Sequence, residues 1–298
     1  MSGAAAGTRG DAWVRAMPVA FVLIWSTGFV VARLGMPHAP PFGFLAWRYA
    51  CSVLLFVLWV MAAGGARWPR GRSQWLHLAV TGALMHGGYL GGVWAAVKHG
   101  LGAGTAALIV GLQPLLTAMW MSLQGAQHRV TPRQWLGLLL GLAGLLLVVL
   151  HKLGAGQATP QNVAMAVVAL ASITGGTLYQ KAFVQPCDVR TASTVQLLAA
   201  LLVTLPLALL ETEPIRWQRE LLVALAWSVL ALTLGASSLL YLLIQRGAAT
   251  QVTSLMYLVP PCTAVLAWAM FGEALTASVI AGMALTALGV SLVLRPPR

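Results

Sequence analysis

The chain has 298 residues, of which 59% are hydrophobic and 8% are charged, and its mean hydropathy is +0.83. Soluble domains carry about 25% charged residues, so this composition excludes a soluble globular protein and predicts an integral membrane protein with little mass outside the bilayer. The formal charge of +12 does not indicate nucleic-acid binding, because the 18 Lys and Arg residues are spread over short segments between apolar runs.

The first 16 residues are small and polar, with Arg9 and Arg15, like the basic front of a signal peptide. The apolar run that follows is long and lacks a small-x-small cleavage site, so we expect a cytoplasmic tail, 1–16, and an uncleaved first helix. Runs of roughly 20 apolar residues, enough to cross about 30 Å of hydrocarbon, then recur. The sequence predicts ten transmembrane helices, at about 17–36, 42–63, 75–97, 101–123, 133–151, 161–183, 191–210, 221–244, 248–271 and 277–294.

The charges support this number of helices. If the N-terminus is cytoplasmic, twelve Lys and Arg residues lie on the cytoplasmic side and five on the outer side, and Arg48 lies within the second span. This excess follows the positive-inside rule. Four of the six acids, Glu211, Glu213, Glu220 and Glu273, fall on the outer side. Adding or removing one helix would scramble the asymmetry, so we expect ten spans with both termini in the cytoplasm.

A proline-containing apolar stretch occurs twice. Residues 104–119 (GTAALIVGLQPLLTAM) match residues 250–265 (TQVTSLMYLVPPCTAV), with Pro114 aligned to Pro260. A proline removes a backbone N–H and clashes with the carbonyl four residues earlier, which in hydrocarbon costs several kcal/mol unless a neighbour or a cavity satisfies the freed group. A broken helix repeated in both halves points to a transport site, and we expect the two prolines to act as gates.

Helices five and ten extend the repeat. Five residues of helix five match five residues of helix ten, at an offset of 145: Gly137, Leu140, Gly144, Leu147 and Val148 match Gly282, Leu285, Gly289, Leu292 and Val293. Each half, 17–151 and 161–294, therefore holds five spans, and an odd number forces the halves to insert in opposite directions. The alternative is that Leu-rich spans resemble each other by composition alone. The glycine spacing argues against that and predicts close packing of helices five and ten.

Polar residues inside the bilayer are costly and usually face a bundle interior or a cavity. Thr233, Ser237, Tyr241 and Gln245 of helix eight are four residues apart and share one face. Together with residues of five other helices they predict a cavity of aromatic and neutral hydrogen-bonding groups; the alternative is hydrogen bonds that only hold the bundle together. The predicted substrate-binding residues are Trp25, His86, Tyr89, Gln113, Tyr179, Ser237, Tyr241, Gln245 and Tyr257.

Three ionisable residues leave alternatives open. His86, near the middle of helix three, is either a neutral imidazole bonded to a neighbouring helix or a substrate contact or proton carrier. Because no acid lies at mid-membrane, transport is predicted to be either facilitated diffusion or coupled through His86. Arg48 either snorkels to the outer interface or anchors a substrate carboxylate. Glu273, just before the last helix, is expected to cap or pair at a loop, and the alternative is that it binds solute. The three cysteines are scattered and predict neither a disulfide framework nor a metal site.

Several short segments together resemble the EamA-type family of the drug/metabolite transporter superfamily. They are Trp-Ser-Thr-Gly-Phe at 25–29, Arg-Tyr at 48–49, the helices of Pro114 and Pro260, and Phe-Gly-Glu-Ala-Leu-Thr at 271–276 followed by Gly282 and Gly289. The first half departs from the second, with His128 where the second half has Glu273. The resemblance implies ten helices, a central cavity lined mainly by helices one, three, four, six, eight and nine, and movement of small organic solutes, often outward.

We therefore expect a secondary transporter that moves amino acids or related amphipathic metabolites across a bacterial-type inner membrane by alternating access, with efflux favoured. Its expected partners are the solute and the lipid bilayer, without nucleic acid, and it is expected to be a monomer or weak homodimer with no cofactor. The alternative is a channel or scaffold subunit without saturable transport. An embedded enzyme is not expected, because the sequence contains no paired carboxylates, HExxH or GxSxG motif at one depth.

Overall fold

The computed structural model of the chain describes residues 4–123, 131–154, 158–236, 239 and 258–294, and within these ranges every regular element is a helix. The α-helices are α1 Ala4–Gly35, α2 Pro41–Ala63, α3 Arg72–Gly82, α4 Tyr89–Lys98, α5 Ala103–Val110, α6 Gln113–Leu123, α7 Pro132–Gly154, α8 Pro160–Phe183, α9 Val189–Leu210, α10 Arg219–Trp227, α11 Val259–Phe271 and α12 Ala277–Leu294. A π-helical segment, Ala83–Gly88, joins α3 to α4, and a second, Ser228–Ala236, continues α10.

The protein is an all-helical integral membrane protein. Five of the described helices are long and apolar enough to cross a bilayer, and shorter apolar helices accompany them. Large apolar side chains lie on the outside of the bundle; Leu209 and Leu210, for example, are 77% and 78% exposed. Such a surface suits contact with lipid and not with water. The five crossing helices are Pro41–Ala63, Pro132–Gly154, Pro160–Phe183, Val189–Leu210 and Arg219–Ala236.

Helix α1 begins at Ala4, well before the predicted first span, so most of the expected 1–16 tail is helical. Residues 4–6 are three alanines, and alanine has the highest intrinsic helix propensity. Hydropathy locates the part of a helix that lies in hydrocarbon, and it does not register a helix that continues past the membrane boundary.

Hydrogen bonds between loops define the two ends of the bundle. At one end, Lys98 Nζ donates to the Met36 carbonyl at 2.9 Å and contacts Glu213 Oε1 at 2.6 Å, so the α1–α2, α4–α5 and α9–α10 connections meet. At the other end, Thr191 Oγ1 donates to the Arg67 carbonyl at 2.8 Å, which joins the α2–α3 and α8–α9 connections. These two groups of loops are the ones that the charge pattern assigned to opposite sides.

Two glutamates cap the N-termini of helices that are distant from them in the sequence. Glu211 accepts the N–H groups of Phe42 at 3.1 Å and Gly43 at 2.7 Å, at the start of α2. Glu273 accepts the Ala103 N–H at 2.9 Å, at the start of α5. Neither helix start has a capping side chain of its own, so the remote carboxylates supply the acceptors that its free N–H groups need. Burial raises the pKa of Glu211, and the two donated hydrogen bonds oppose that rise.

Helices α7 and α12 pack through glycines. A Cβ atom added at Gly144 would lie 2.5 Å from the Gly282 carbonyl oxygen, and one at Gly289 would overlap the Gly137 carbonyl. Only glycine permits this approach of two backbones. The close pairing that the glycine spacing predicted for helices five and ten is therefore present.

Helix four is broken, as the proline-containing stretch predicted, but the break comes before Pro114. Its first part, α5, ends at Val110, and α6 begins at Gln113, so Pro114 lies in the first turn of a new helix. Pro260 likewise lies in the first turn of α11. A first-turn proline removes no hydrogen bond, because the N–H groups of that turn have no partner within the helix. The break thus avoids the penalty that a proline within a continuous helix would carry.

Candidate solute site

Two consecutive residues of α2 reach both π-helical segments. The Tyr49 hydroxyl donates to the His86 carbonyl at 2.8 Å, in the segment Ala83–Gly88. The Arg48 guanidinium donates from Nε and Nη2 to Thr233 Oγ1 at 3.4 Å and 3.3 Å, in the segment Ser228–Ala236. Because π-helical turns are rare and are frequently found at functional sites, their convergence on α2 locates the candidate site.

Arg48 lies inside the bundle. It follows Pro41 by seven residues, or about 10 Å of helix, and only 7% of its surface is exposed. The adjacent Trp47 points outward instead, is 48% exposed and forms an edge contact with Trp217 at 5.4 Å. The snorkelling alternative for Arg48 is therefore not what the structure shows.

The site also contains His86 and Tyr89, two of the predicted residues. The His86 ring lies 6.2 Å from the Tyr49 ring, in an edge arrangement, and against the side chain of Gln196 on α9. Tyr89 is 7% exposed and lies within electrostatic reach of Arg48. The result is a cluster of one cation, three ring side chains and neutral hydrogen-bonding groups, enclosed by four helices.

Two predicted residues lie on the helices around this cluster. Gln113 Nε2 donates to Thr177 Oγ1 at 2.9 Å and so joins the break in helix four to α8. Trp25 is half-buried on α1, with its ring 5.5 Å from that of Phe21. The adjacent Ser26 carbonyl accepts from Thr263 Oγ1 at 3.1 Å, which connects this part of α1 to α11.

Tyr179 lies apart from the cluster. It is one turn from the end of α8, and its hydroxyl is 2.8 Å from His77 Nδ1. His77 precedes His86 by nine residues, or about 13 Å of helix, and its Nε2 lies 2.9 Å from Ser73 Oγ. The structure thus places Tyr179 toward the loop end of the bundle.

The other four predicted substrate-binding residues, Ser237, Tyr241, Gln245 and Tyr257, lie outside the described residues. The first member of their stripe, Thr233, is described, and it is buried with its hydroxyl directed to Arg48. Prediction from the sequence included Thr233 in this stripe but missed the participation of Tyr49 and Gln196. The adjacency of Arg48 and Tyr49 was the available signal, because consecutive polar residues within an apolar span are unusual.

The two helices expected to act as gates pack against each other. A Cβ atom at Gly111, where helix four breaks, would lie 2.9 Å from Pro260 Cγ on α11. A Cβ atom at Gly104 would lie 3.3 Å from the Ala264 Cα atom. The break of one helix therefore meets the proline of the other.

A pocket of about 950 Å³ lies at the loop end, between the α2–α3 and α8–α9 connections, and none of the predicted site residues lines it. Its acid, Asp188, is held by Arg190 Nη2 at 2.6 Å, and these hydrogen bonds lower the pKa of Asp188. Burial raises the pKa of the neighbouring Cys187. Within the described ranges no cluster of His, Cys, Asp and Glu could hold a metal ion.

Comparison with known proteins identifies the family of the chain. A family model, the EamA-like transporter family, matches residues 12–150 and again residues 162–295. The two matches cover most of the chain, so the fold belongs to a class of helical membrane transporters, and this chain is a member of the EamA-like transporter family.

Relatives are similar over most of their length. They include an "Uncharacterized transporter" of Archaeoglobus fulgidus, 24% identical over 85% of this chain and 87% of that protein. The "Uncharacterized inner membrane transporter YedA" of Escherichia coli K12 is 26% identical over 86% and 82%. The "Probable amino-acid metabolite efflux pump" of Salmonella typhimurium is 22% identical over 90% of each chain. A solved crystal structure matches with a TM-score of 0.65 and 20% identity over 95% of this chain and 97% of its own, which supports the fold alone.

Proposed function

We propose that the protein is a secondary transporter that moves amino acids or related amphipathic metabolites outward across an inner membrane, by alternating access around a midplane cavity. The observation that carries this proposal is the convergence of Arg48 and Tyr49 on two π-helical segments inside the bundle. Membership of a transporter family supports it, as do the names of the E. coli inner membrane transporter and the Salmonella efflux pump.

The proposed architecture is ten transmembrane helices in two inverted five-helix repeats, 17–151 and 161–294, with both termini cytoplasmic. Two observations support it. One family model matches the chain twice, at 12–150 and 162–295. The last helix of each matched range, α7 and α12, packs against the other through glycines. A repeat with an odd number of spans inverts its copy and places the solute site between the two halves.

In the proposed mechanism one half rocks against the other, and the helices of Pro114 and Pro260 act as gates. The contact between Gly111 and Pro260 supports this role, because it is the point where the break in helix four meets the first turn of α11. The proposed solute contacts within the described ranges are Trp25, His86, Tyr89, Gln113 and Tyr179. They are joined by the four residues outside those ranges, Ser237, Tyr241, Gln245 and Tyr257.

Energy coupling has two proposed forms, facilitated diffusion or proton coupling through His86. The position of His86 beside Arg48 and Tyr49 supports a role for this residue in the site. Efflux from proteoliposomes with and without an imposed pH gradient separates the two forms. A strong dependence on the gradient that survives His86→Ala would contradict both.

Counterflow in proteoliposomes tests the transport proposal against the alternative of a channel or scaffold subunit. Vesicles loaded with an unlabelled amino acid are diluted into a trace of the labelled compound. A carrier transiently concentrates the label inside the vesicles, because the internal unlabelled solute competes with the entered label for the site and slows its exit. The flux through a carrier also saturates with solute concentration. A channel equilibrates the label without an overshoot, and a scaffold subunit gives no flux above that of empty vesicles; either result would refute the proposal.

A further inference from the structure

The Arg48 guanidinium is buried without an acid to neutralise it. Its two hydrogen bonds, at 3.3 Å and 3.4 Å, both go to the same neutral oxygen, Thr233 Oγ1. A guanidinium has five N–H donors, so three of them have no hydrogen-bond partner among the described residues. Thr233 itself donates its hydroxyl proton to the Ser228 carbonyl at 2.8 Å, so it offers Arg48 only the lone pairs of a neutral oxygen and no charge.

The carboxylates of the chain are engaged elsewhere. Glu211 and Glu273 cap the starts of α2 and α5. Glu213 pairs with Lys98, and Asp188 pairs with Arg190, each at 2.6 Å. All four therefore lie at the ends of the bundle and not beside Arg48.

The two remaining acids are also distant. Glu220 is exposed in the first turn of α10, at the opposite end of that helix from the π-helical segment. Asp11 lies 16 residues, or about 24 Å, before Thr27 on α1. Thr27 accepts a hydrogen bond from Trp227 at the end of α10, so these two residues lie at the same depth in the bundle. Thr233 follows Trp227 by six residues, or about 9 Å, which leaves Thr233 and Asp11 about 15 Å apart in depth. The residues outside the described ranges contain no Asp or Glu.

A buried cation without a counter-ion is unfavourable, and it is retained where a ligand supplies the opposite charge. We propose that Arg48 binds the carboxylate of the transported solute, so that the solute completes an ion pair that the protein leaves open. This inference rests on the proposed transport function and narrows its solute class to small organic monocarboxylates. The planar guanidinium matches a carboxylate in a two-point hydrogen bond, which a lysine ammonium does not.

The surroundings of Arg48 suit the organic part of such a solute. Tyr49 is fully buried, Tyr89 is 7% exposed, and His86 lies against Gln196. Ring faces and neutral amide groups accept an apolar or amphipathic body. Among the described residues no second Lys or Arg lies within electrostatic reach of Arg48 to pair with the other charge of a dicarboxylate or a phosphate dianion. A single carboxylate on a compact body is the charge that the site neutralises.

The test uses the full-length protein purified in detergent and measures thermal stabilisation by paired compounds. Each pair is a monocarboxylate and its carboxamide: the common amino acids, and aliphatic and aromatic acids of similar size. We expect the acids to stabilise the wild type and the amides not to do so. In Arg48→Gln the half-saturating concentration of the best acid should rise about 10- to 100-fold, the range expected for a charged hydrogen-bonded contact. Arg48→Lys should fall between the two, because it keeps the charge and loses the two-point geometry.

Arg33→Gln is the matched control, since it removes a half-buried arginine from the end of α1 and should leave the affinity for the acid unchanged. The unliganded proteins give a second readout. If Arg48 has no counter-ion until a solute binds, Arg48→Gln should unfold at the same temperature as the wild type or at a higher one, because the substitution removes an uncompensated buried charge. If Arg48 only holds the bundle together, the same variant unfolds earlier.

Three results would overturn the inference: equal stabilisation by acids and amides, unchanged affinity for the best acid in Arg48→Gln, or no stabilisation by any monocarboxylate. If chloride or phosphate alone stabilised the protein as much as the best acid, the counter-ion of Arg48 would be an inorganic anion, and the inference would also be overturned. Flux measurements separate this inference from the transport proposal. Binding of acids at Arg48 without counterflow would refute transport, whereas counterflow of a carboxylate-free solute that persists in Arg48→Gln would refute the role of Arg48.

Discussion

Replacing Gly144 by alanine would force α7 and α12 apart. The new Cβ atom would lie 2.5 Å from the Gly282 carbonyl oxygen and 2.9 Å from the Thr286 backbone nitrogen. Relief to an ordinary van der Waals distance requires a separation of roughly 1 Å, and a gap of that size removes a quarter to a half of the dispersion energy of the neighbouring contacts. Overpacking of this kind costs about 1–3 kcal/mol. A rotamer change cannot relieve the overlap at the new Cβ atom, because two of the three opposing atoms are backbone atoms.

Gly175→Ala is the matched control for this variant. It adds the same methyl group to another membrane helix, α8, where no heavy atom lies within 4 Å of the new Cβ. Thermal unfolding of the purified protein in detergent should show Gly144→Ala about 5 °C below the wild type, taking about 2 kcal/mol as the cost. Gly175→Ala should unfold at the wild-type temperature or slightly above it, because alanine favours helix over glycine. Equal unfolding temperatures for the two variants would refute the reasoning.

Variants at three further positions test the ends of the bundle and the gate. Glu211→Ala leaves two N–H groups at the start of α2 without acceptors and should destabilise the protein by about 1 kcal/mol in thermal unfolding, whereas Glu211→Gln should keep part of the cap. Arg190 lowers the pKa of Asp188, so the ionised carboxylate stabilises the fold above the unfolded-state pKa of about 3.9, and this stabilisation is lost as the pH falls below that value. The unfolding temperature of the wild type should therefore fall between about pH 6 and 3 by an amount that Asp188→Asn does not show. Gly111→Ala places a methyl group 2.9 Å from Pro260 Cγ and should slow counterflow several-fold with little change in solute-induced stabilisation; normal counterflow would contradict the gating role.

Hydropathy located the long helices closely. The predicted spans 42–63, 161–183 and 191–210 correspond to Pro41–Ala63, Pro160–Phe183 and Val189–Leu210. Transfer of apolar side chains from water into hydrocarbon is nearly additive along the chain, so a local sum over about 20 residues locates such segments. The repeated glycines of helices five and ten were informative for a similar reason, because the absence of a side chain is a local property with one consequence in a membrane, close approach.

The exact form of the irregular parts of the helices was not predicted. The proline pattern predicted a broken helix four, but the position of the break after Val110, the placement of Pro114 in a first turn, and both π-helical segments depend on where backbone carbonyls find partners. In the second π-helical segment, for instance, the Thr233 hydroxyl bonds to the Ser228 carbonyl five residues earlier. A sequence pattern specifies an average helix, whereas a local change of its period is decided by the neighbours that pack against it.

The sequence by itself therefore determined that this protein is a bundle of membrane helices, belongs among transporter-like chains and has almost no acid within its apolar spans. The tertiary structure alone decided which charged side chains are paired and which are not. In the folded bundle Arg48 lies inward against Thr233, Glu211 caps the start of α2, and Tyr179 lies away from His86. Hydrophobicity sums residue by residue, but the neutralisation of a charge depends on which residues of distant helices meet, and that is a property of the folded arrangement only.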